Sequence, residues 1–144
     1  MNDQMCDNLA PPMPVSATAT ILMIDDDAPL RMLVERYLSM FGYRPLVAAD
    51  GEEGVRIAAE HPEIDLIILD VVMPGISARE LAERLTGLLP QAQILFCSGH
   101  PRSALERLGI DLKGAQFMQK PCRPLVLKEH LREMLAARSE GRWP

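Results

Sequence analysis

Cysteine, long apolar runs and positive charge are all in short supply in this sequence, and each shortage excludes something. Only three cysteines occur, Cys6, Cys97 and Cys122, with no C-x-x-C pair and no histidine at ligand spacing. That excludes a disulfide framework and a zinc site, and it fits a reducing compartment. No apolar run approaches the roughly 20 residues of a membrane span. The N-terminus also lacks the basic-then-apolar layout of a signal peptide, so a cytoplasmic chain without membrane contact is expected. Fifteen Lys and Arg against 20 Asp and Glu leave a net charge of −5, no footprint for nucleic acid. No Gly-rich loop follows the first apolar stretch, which excludes the phosphate loops of Rossmann and P-loop folds. What remains is a chain of 144 residues, 48% hydrophobic and 24% charged, enough for one domain with an unstapled core.

The stretch from Ile64 to Gly75 organises that domain. Leu66 to Leu69 is an unbroken apolar run short enough for a strand, and Asp70 is the first polar residue after it. Strands without alternation belong to parallel sheets covered by helices on both faces. Pro74 and Gly75 then turn the chain, which places Asp70 at the carboxyl end of the central strand. Ligands bind at that edge in open α/β sheets. Alone, a strand-end Asp is as well explained by a turn cap.

The other segments alternate. Residues 20–24 form a first strand running into Asp25, Asp26 and Asp27. A helix follows, capped by Asp27, with Pro29 in its first turn. Leu30, Leu33, Val34, Tyr37, Leu38 and Phe41 make its apolar face, and Gly42 closes it. Residues 44–49 are the second strand, and Asp50 with Glu53 opens a helix ending near His61 and Pro62. Ser77 with Glu80 opens the next, through Leu81, Leu85 and Leu88. Residues 93–97 and 115–119 are the fourth and fifth strands, with a short helix over 103–108 between them and Gly109 as its stop. Lys120 and Pro121 end the fifth strand. Pro124 starts a last helix to about Arg138, with Leu127, Leu131, Met134 and Leu135 as its buried stripe. Residues 1–18 read as a disordered tail, 19–138 as the domain and 139–144 as a frayed end.

Five strands alternating with five helices predict an α/β fold. It is a doubly wound, flavodoxin-like (βα)5 parallel sheet with strand order 2-1-3-4-5. That order brings Asp25, Asp26 and Asp70 together at the switch point, with Ser98 and Lys120 at the same edge. Three converging carboxylates repel unless a cation sits among them, and a hard cation such as Mg²⁺ fits such donors. A carboxylate can also attack phosphorus and form an aspartyl phosphate. The transferred group then needs cations and hydrogen-bond donors, which Mg²⁺, Lys120 and Ser98 can supply.

In these residues the sequence resembles the receiver domain of bacterial two-component response regulators. The resemblance covers roughly residues 19–138 and rests on four groups of residues. They are Asp25-Asp26-Asp27 with Arg31 beyond, Leu69-Asp70 through Met73-Pro74-Gly75, Ser98-Gly99, and Phe117 with Lys120-Pro121. It implies Asp70 as phosphoacceptor and Mg²⁺ or Mn²⁺ held by Asp25, Asp26, Asp70 and the Val72 carbonyl, with Asp26 the direct ligand. It implies Lys120 as the phosphate-pairing lysine, Ser98 as the switch hydroxyl and Phe117 as the aromatic switch. The pattern is departed from at Ala78, where Gly is usual, at Phe117 in place of Tyr, and at Ser98 in place of Thr. None of these removes a reacting atom.

The implied function is a stand-alone phosphoprotein switch or relay in a phosphorelay. Such a protein is not an enzyme beyond Mg-dependent self-phosphorylation and autodephosphorylation. Its partners are a histidine kinase or histidine phosphotransfer protein and an unidentified downstream protein, and the chain is a monomer or weak dimer. An alternative is a receiver-like module that binds partners without phosphate, and a flavin protein is excluded because the acidic cluster would repel its phosphate. Val72 and His100 flank the acceptor by topology and are expected to tune phosphate lifetime. His61 and His130 read as surface residues, Cys97 as a packed strand residue, Cys122 as a loop thiol and the methionines as core filling.

Overall fold

The computed structural model describes residues 19–107, 110, 112 and 115–139. The tail expected over 1–18, with Cys6, the stop at Gly109 and all but the first residue of the frayed end lie outside the described residues. The elements run β1 (Thr20–Ile24), α1 (Ala28–Met40), β2 (Arg44–Ala48), α2 (Gly51–Glu60) and β3 (Ile64–Asp70). They continue with α3 (Ala78–Leu88), β4 (Gln93–Ser98), α4 (Arg102–Arg107), β5 (Gln116–Gln119) and α5 (Pro124–Ser139). The five strands are parallel in the order β2-β1-β3-β4-β5, the flavodoxin-like arrangement that the alternation predicts.

The helix starts follow their capping residues. Asp27, Asp50 and Ser77 each accept the backbone N–H three residues on, from Leu30, Glu53 and Glu80. Glu53 reaches back to the Ala49 N–H at 2.7 Å, one residue before the cap, so this box spans the strand–helix joint. Gly42 closes the turn after α1 with φ +95°, a conformation open to glycine. Gly54 lets α2 lie close on β1, since a Cβ there would come within 2.5 Å of Ile24 Cδ1.

Both faces of the sheet are buried, as its continuous apolar strands require. Met23, Leu66, Ile68, Leu95 and Cys97 pack against α1 and α5 on one face. Leu22, Ile24, Ile67 and Leu69 pack against α2 and α3 on the other. Leu127, Leu131, Met134 and Leu135 form the buried stripe of α5, and the buried Gln93 amide ties β4 to it by donating to Met134 O at 2.8 Å. Between β1 and β3 the register slips at Thr20/Ile21, and the Thr20 N–H is met by Asp65 Oδ2 instead of a ladder carbonyl.

Two sequence expectations need correction. Leu33 is 41% exposed and Leu88 43% exposed, because each sits at the edge of its helical stripe, and Leu89 packs where Leu88 was placed. Met32 and Met40 point to solvent, so the methionines are only partly core filling. Cys122 lies in the loop between β5 and α5, as expected. It is buried in the same core cluster as Cys97, where its hydrogen bond with Cys97 holds its own thiol below the usual value and pushes Cys97 above it.

Candidate functional site

The sheet's carboxyl edge is built by ladder bonds that outlast the strands. Asp25 N–H donates to Ala48 O at 3.1 Å, Val71 N–H to Cys97 O at 2.9 Å and Lys120 N–H to Ser98 O at 2.7 Å. The strand ends that carry the site are thereby held in register at one rim. Lys120 joins Pro121 through a cis peptide bond.

Asp25 and Asp70 use the same local device. Asp25 Oδ1 accepts the Asp27 N–H at 2.9 Å, and Asp70 Oδ1 accepts the Val72 N–H at 3.2 Å. Each bond closes a side-chain turn over two residues, a habit of aspartate at chain reversals. It also fixes each carboxylate so that its second oxygen faces the same cation. Lys120 Nζ lies 2.8 Å from Asp25 Oδ2 and 3.3 Å from Asp70 Oδ2. Asp25 Oδ2 is buried without an aligned hydrogen-bond donor, so the ammonium charge is its compensation. Arg31 steadies the loop by donating from Nη1 to Asp25 O at 2.8 Å.

The electrostatics follow from burial. Asp70 is pushed up to about 6, first by burial and then by the Asp25 charge, with Lys120 and the Val72 N–H only partly offsetting them. Burial pulls Lys120 down, but its close pairing with Asp25 and the charge of Asp70 outweigh this and hold it above its usual value. The ammonium therefore stays charged while Asp70 titrates at about pH 6.

Carboxylate oxygens of Asp25, Asp26 and Asp70 lie within 4.8 Å of one another, with Asp25 and Asp70 buried and Asp26 exposed. Hard oxygen donors at this spacing, two of them on buried carboxylates, fit a small divalent cation. Ser98 is fully buried at the end of β4, its Oγ accepting the His100 N–H at 3.0 Å. His100 is exposed beside it, and Val72 is 48% exposed at the rim. Phe117 lies one strand over, half-buried against Val71, Leu105 and Leu112. Arg102 covers its ring and is a neighbour the sequence reading missed, since an arginine opening a short helix carries no pattern of its own.

A family model described as the response regulator receiver domain matches residues 21–132. The chain belongs to that family. The receiver domain of the hybrid histidine kinase CckA is 36% identical with a TM-score of 0.69, covering 81% of this chain and 99% of that one. The response regulator TrrA of Thermotoga maritima, solved in complex with Mg²⁺ and BeF, is 30% identical with a TM-score of 0.67, covering 81% and 98%. The transcriptional activator protein ExaE of Pseudomonas putida is 34% identical over 118 residues, which make up 81% of this chain and 55% of ExaE. This receiver spans about half the length of the first curated relatives it matches. Among the described residues no helix is long and apolar enough to cross a membrane.

Proposed function

We propose that this receiver accepts a phosphoryl group on Asp70 from a phosphohistidine of a histidine kinase or histidine phosphotransfer protein. It then presents an altered surface to a downstream protein or passes the group on. The observation that carries this reading is the buried Asp70 carboxylate at the rim of β3, facing Lys120 and sharing an acidic cluster with Asp25 and Asp26. That TrrA, a receiver of 30% identity, was solved with Mg²⁺ and BeF supports a like chemistry for this chain.

In the transfer, an Asp70 oxygen forms a bond to phosphorus as the bond from phosphorus to the donor imidazole nitrogen breaks, and the nitrogen keeps that electron pair. Asp70 must be ionised to attack, which the Lys120 ammonium favours. Asp25, Asp26, Asp70 and the Val72 carbonyl would hold Mg²⁺ or Mn²⁺. When bound, that cation screens the carboxylates from the incoming phosphate and stabilises charge on the transferred oxygens. Lys120 pairs with a phosphoryl oxygen, and the Ser98 hydroxyl donates to another. The signal passes from Ser98 to Phe117. The domain catalyses nothing beyond gaining and losing its own phosphate.

Incubation with acetyl phosphate and Mg²⁺ tests this by intact mass. Wild type should gain one phosphoryl group, while Asp70→Asn, or wild type in a chelator, should gain none. Equal labelling of Asp70→Asn would remove Asp70 from its role, and no labelling of wild type would favour a partner-binding module that works without phosphate. Val72 and His100 flank the acceptor, and an imidazole there can position water for hydrolysis. His100→Ala should therefore lose its phosphate more slowly than wild type, and an unchanged decay rate would leave His100 a surface residue.

A further inference from the structure

The Phe117 ring is held by a cation as well as by apolar neighbours. The guanidinium carbon of Arg102, the first residue of α4, lies 5.3 Å from the ring centroid. The same guanidinium donates from Nη1 to Leu112 O at 2.6 Å and from Nη2 to Ala115 O at 2.9 Å. Two backbone carbonyls thus fix a planar fork over an aromatic face, a geometry lysine cannot reproduce. Beneath the ring lie Val71, Leu105 and Leu112. Phe96 pairs with Phe117 across β4 and β5, so Phe96, Ser98 and Phe117 share one face of the sheet.

We propose that Arg102 is the positioning residue of the switch: it holds the Phe117 ring in the place it takes here, under the guanidinium, and so opposes the ring's movement toward Ser98 on phosphorylation. This rests on the reading of Asp70 as acceptor and of Ser98 and Phe117 as its readout. The physical need for such a hold comes from the residue type. A tyrosine at this position has a hydroxyl that water rewards in the outward state. Phenylalanine has none, so burial alone draws the ring inward and would populate the active arrangement without phosphate. Arg102 supplies the opposing attraction. Its bonds to Leu112 and Ala115 go to backbone and survive the ring's departure, so switching gives up only the attraction between guanidinium and ring.

The size of the effect follows. A partly exposed cation–π pair shifts a two-state equilibrium about two- to fivefold, and a phosphoryl mimic that prefers the active state gains that factor when the pair is removed. Beryllofluoride with Mg²⁺ is titrated into the full chain as wild type, Arg102→Gln, Phe117→Leu and the double variant. Arg102→Gln should bind beryllofluoride about two- to fivefold tighter than wild type. In the Phe117→Leu background the same change should have no effect, because leucine presents no aromatic face. Arg102→Lys, which keeps a cation without the fork, should fall between wild type and Arg102→Gln. An equal factor in both backgrounds would make Arg102 a staple of the 112–115 segment and nothing more, and no factor in wild type would remove it from the switch.

A readout without ligand separates this inference from the acceptor reading. In ligand-free Arg102→Gln, nuclear Overhauser effects between the Phe117 ring and Ser98 should strengthen relative to wild type. If wild type takes up no beryllofluoride, the acceptor reading fails, while a stronger ring-to-Ser98 effect would still sustain Arg102 as the hold. An unchanged effect would overturn it.

Discussion

Asp70 answers to two opposed demands, since it must be ionised to attack and is buried where ionisation is costly. The folded, metal-free carboxyl is pushed up to about 6 from 3.8, so holding it ionised costs the fold about 3 kcal/mol relative to the unfolded chain. The unfolded chain releases this proton near pH 4 and the folded chain near pH 6. Between those values the folded state binds more protons, so this contribution makes stability fall as pH rises from about 4 to about 6 and level off above. In a chelator, Asp70→Asn should be more stable than wild type at pH 7, by up to about 3 kcal/mol, and should lose most of that decline. Urea melts at pH 4 and pH 7 measure it. Equal wild-type and Asp70→Asn profiles would mean that Lys120 already compensates the charge. Relief from Asp26→Asn should be smaller, because Asp26 is exposed while Asp25 and Asp70 are buried.

At the scale of elements, the fold was legible where the chemistry is local. Asp27, Asp50 and Ser77 announce three helix starts because a cap needs only a side-chain oxygen and the N–H three residues on. The apolar run ending at Asp70 announces a buried central strand for the same reason. What stayed illegible depends on how elements meet. Periodicity could not show that Leu33 and Leu88 sit at stripe edges, that Cys122 folds back onto Cys97, or that Arg102 reaches the Phe117 ring. The α5 stripe offers a test of packing alone. Leu131 is fully buried beneath the β1, β3 and β4 face, so Leu131→Ala should cost about 2–5 kcal/mol in urea unfolding. Acetyl phosphate labelling at low temperature should survive, since the site lies at the rim. A cost under about 1 kcal/mol would mean that α5 does not close this face.

Over the whole molecule, the doubly wound order turns scattered residues into one site. Asp25 and Asp26, Asp70, Ser98 and Lys120 follow four different strands or end them, and the order β2-β1-β3-β4-β5 puts those strand ends on a single rim. The sequence made this readable because each residue stands where an apolar run stops, and because the alternation of strands and helices, with no Gly-rich loop after the first strand, points to the doubly wound order 2-1-3-4-5. The pairing of Lys120 with Asp25 as well as Asp70 was not readable, because it depends on side-chain turns at both aspartates. The central claim is that this rim gathers its charges to place one phosphoryl group on one carboxylate. Trapping tests it most directly: wild type is treated with acetyl phosphate and Mg²⁺, then reduced with borohydride, which converts an aspartyl phosphate to homoserine, and the peptides are sequenced by mass. Homoserine at position 70 and at no other aspartate is the predicted result. Homoserine at another position, or none after confirmed phosphoryl uptake, would contradict the account.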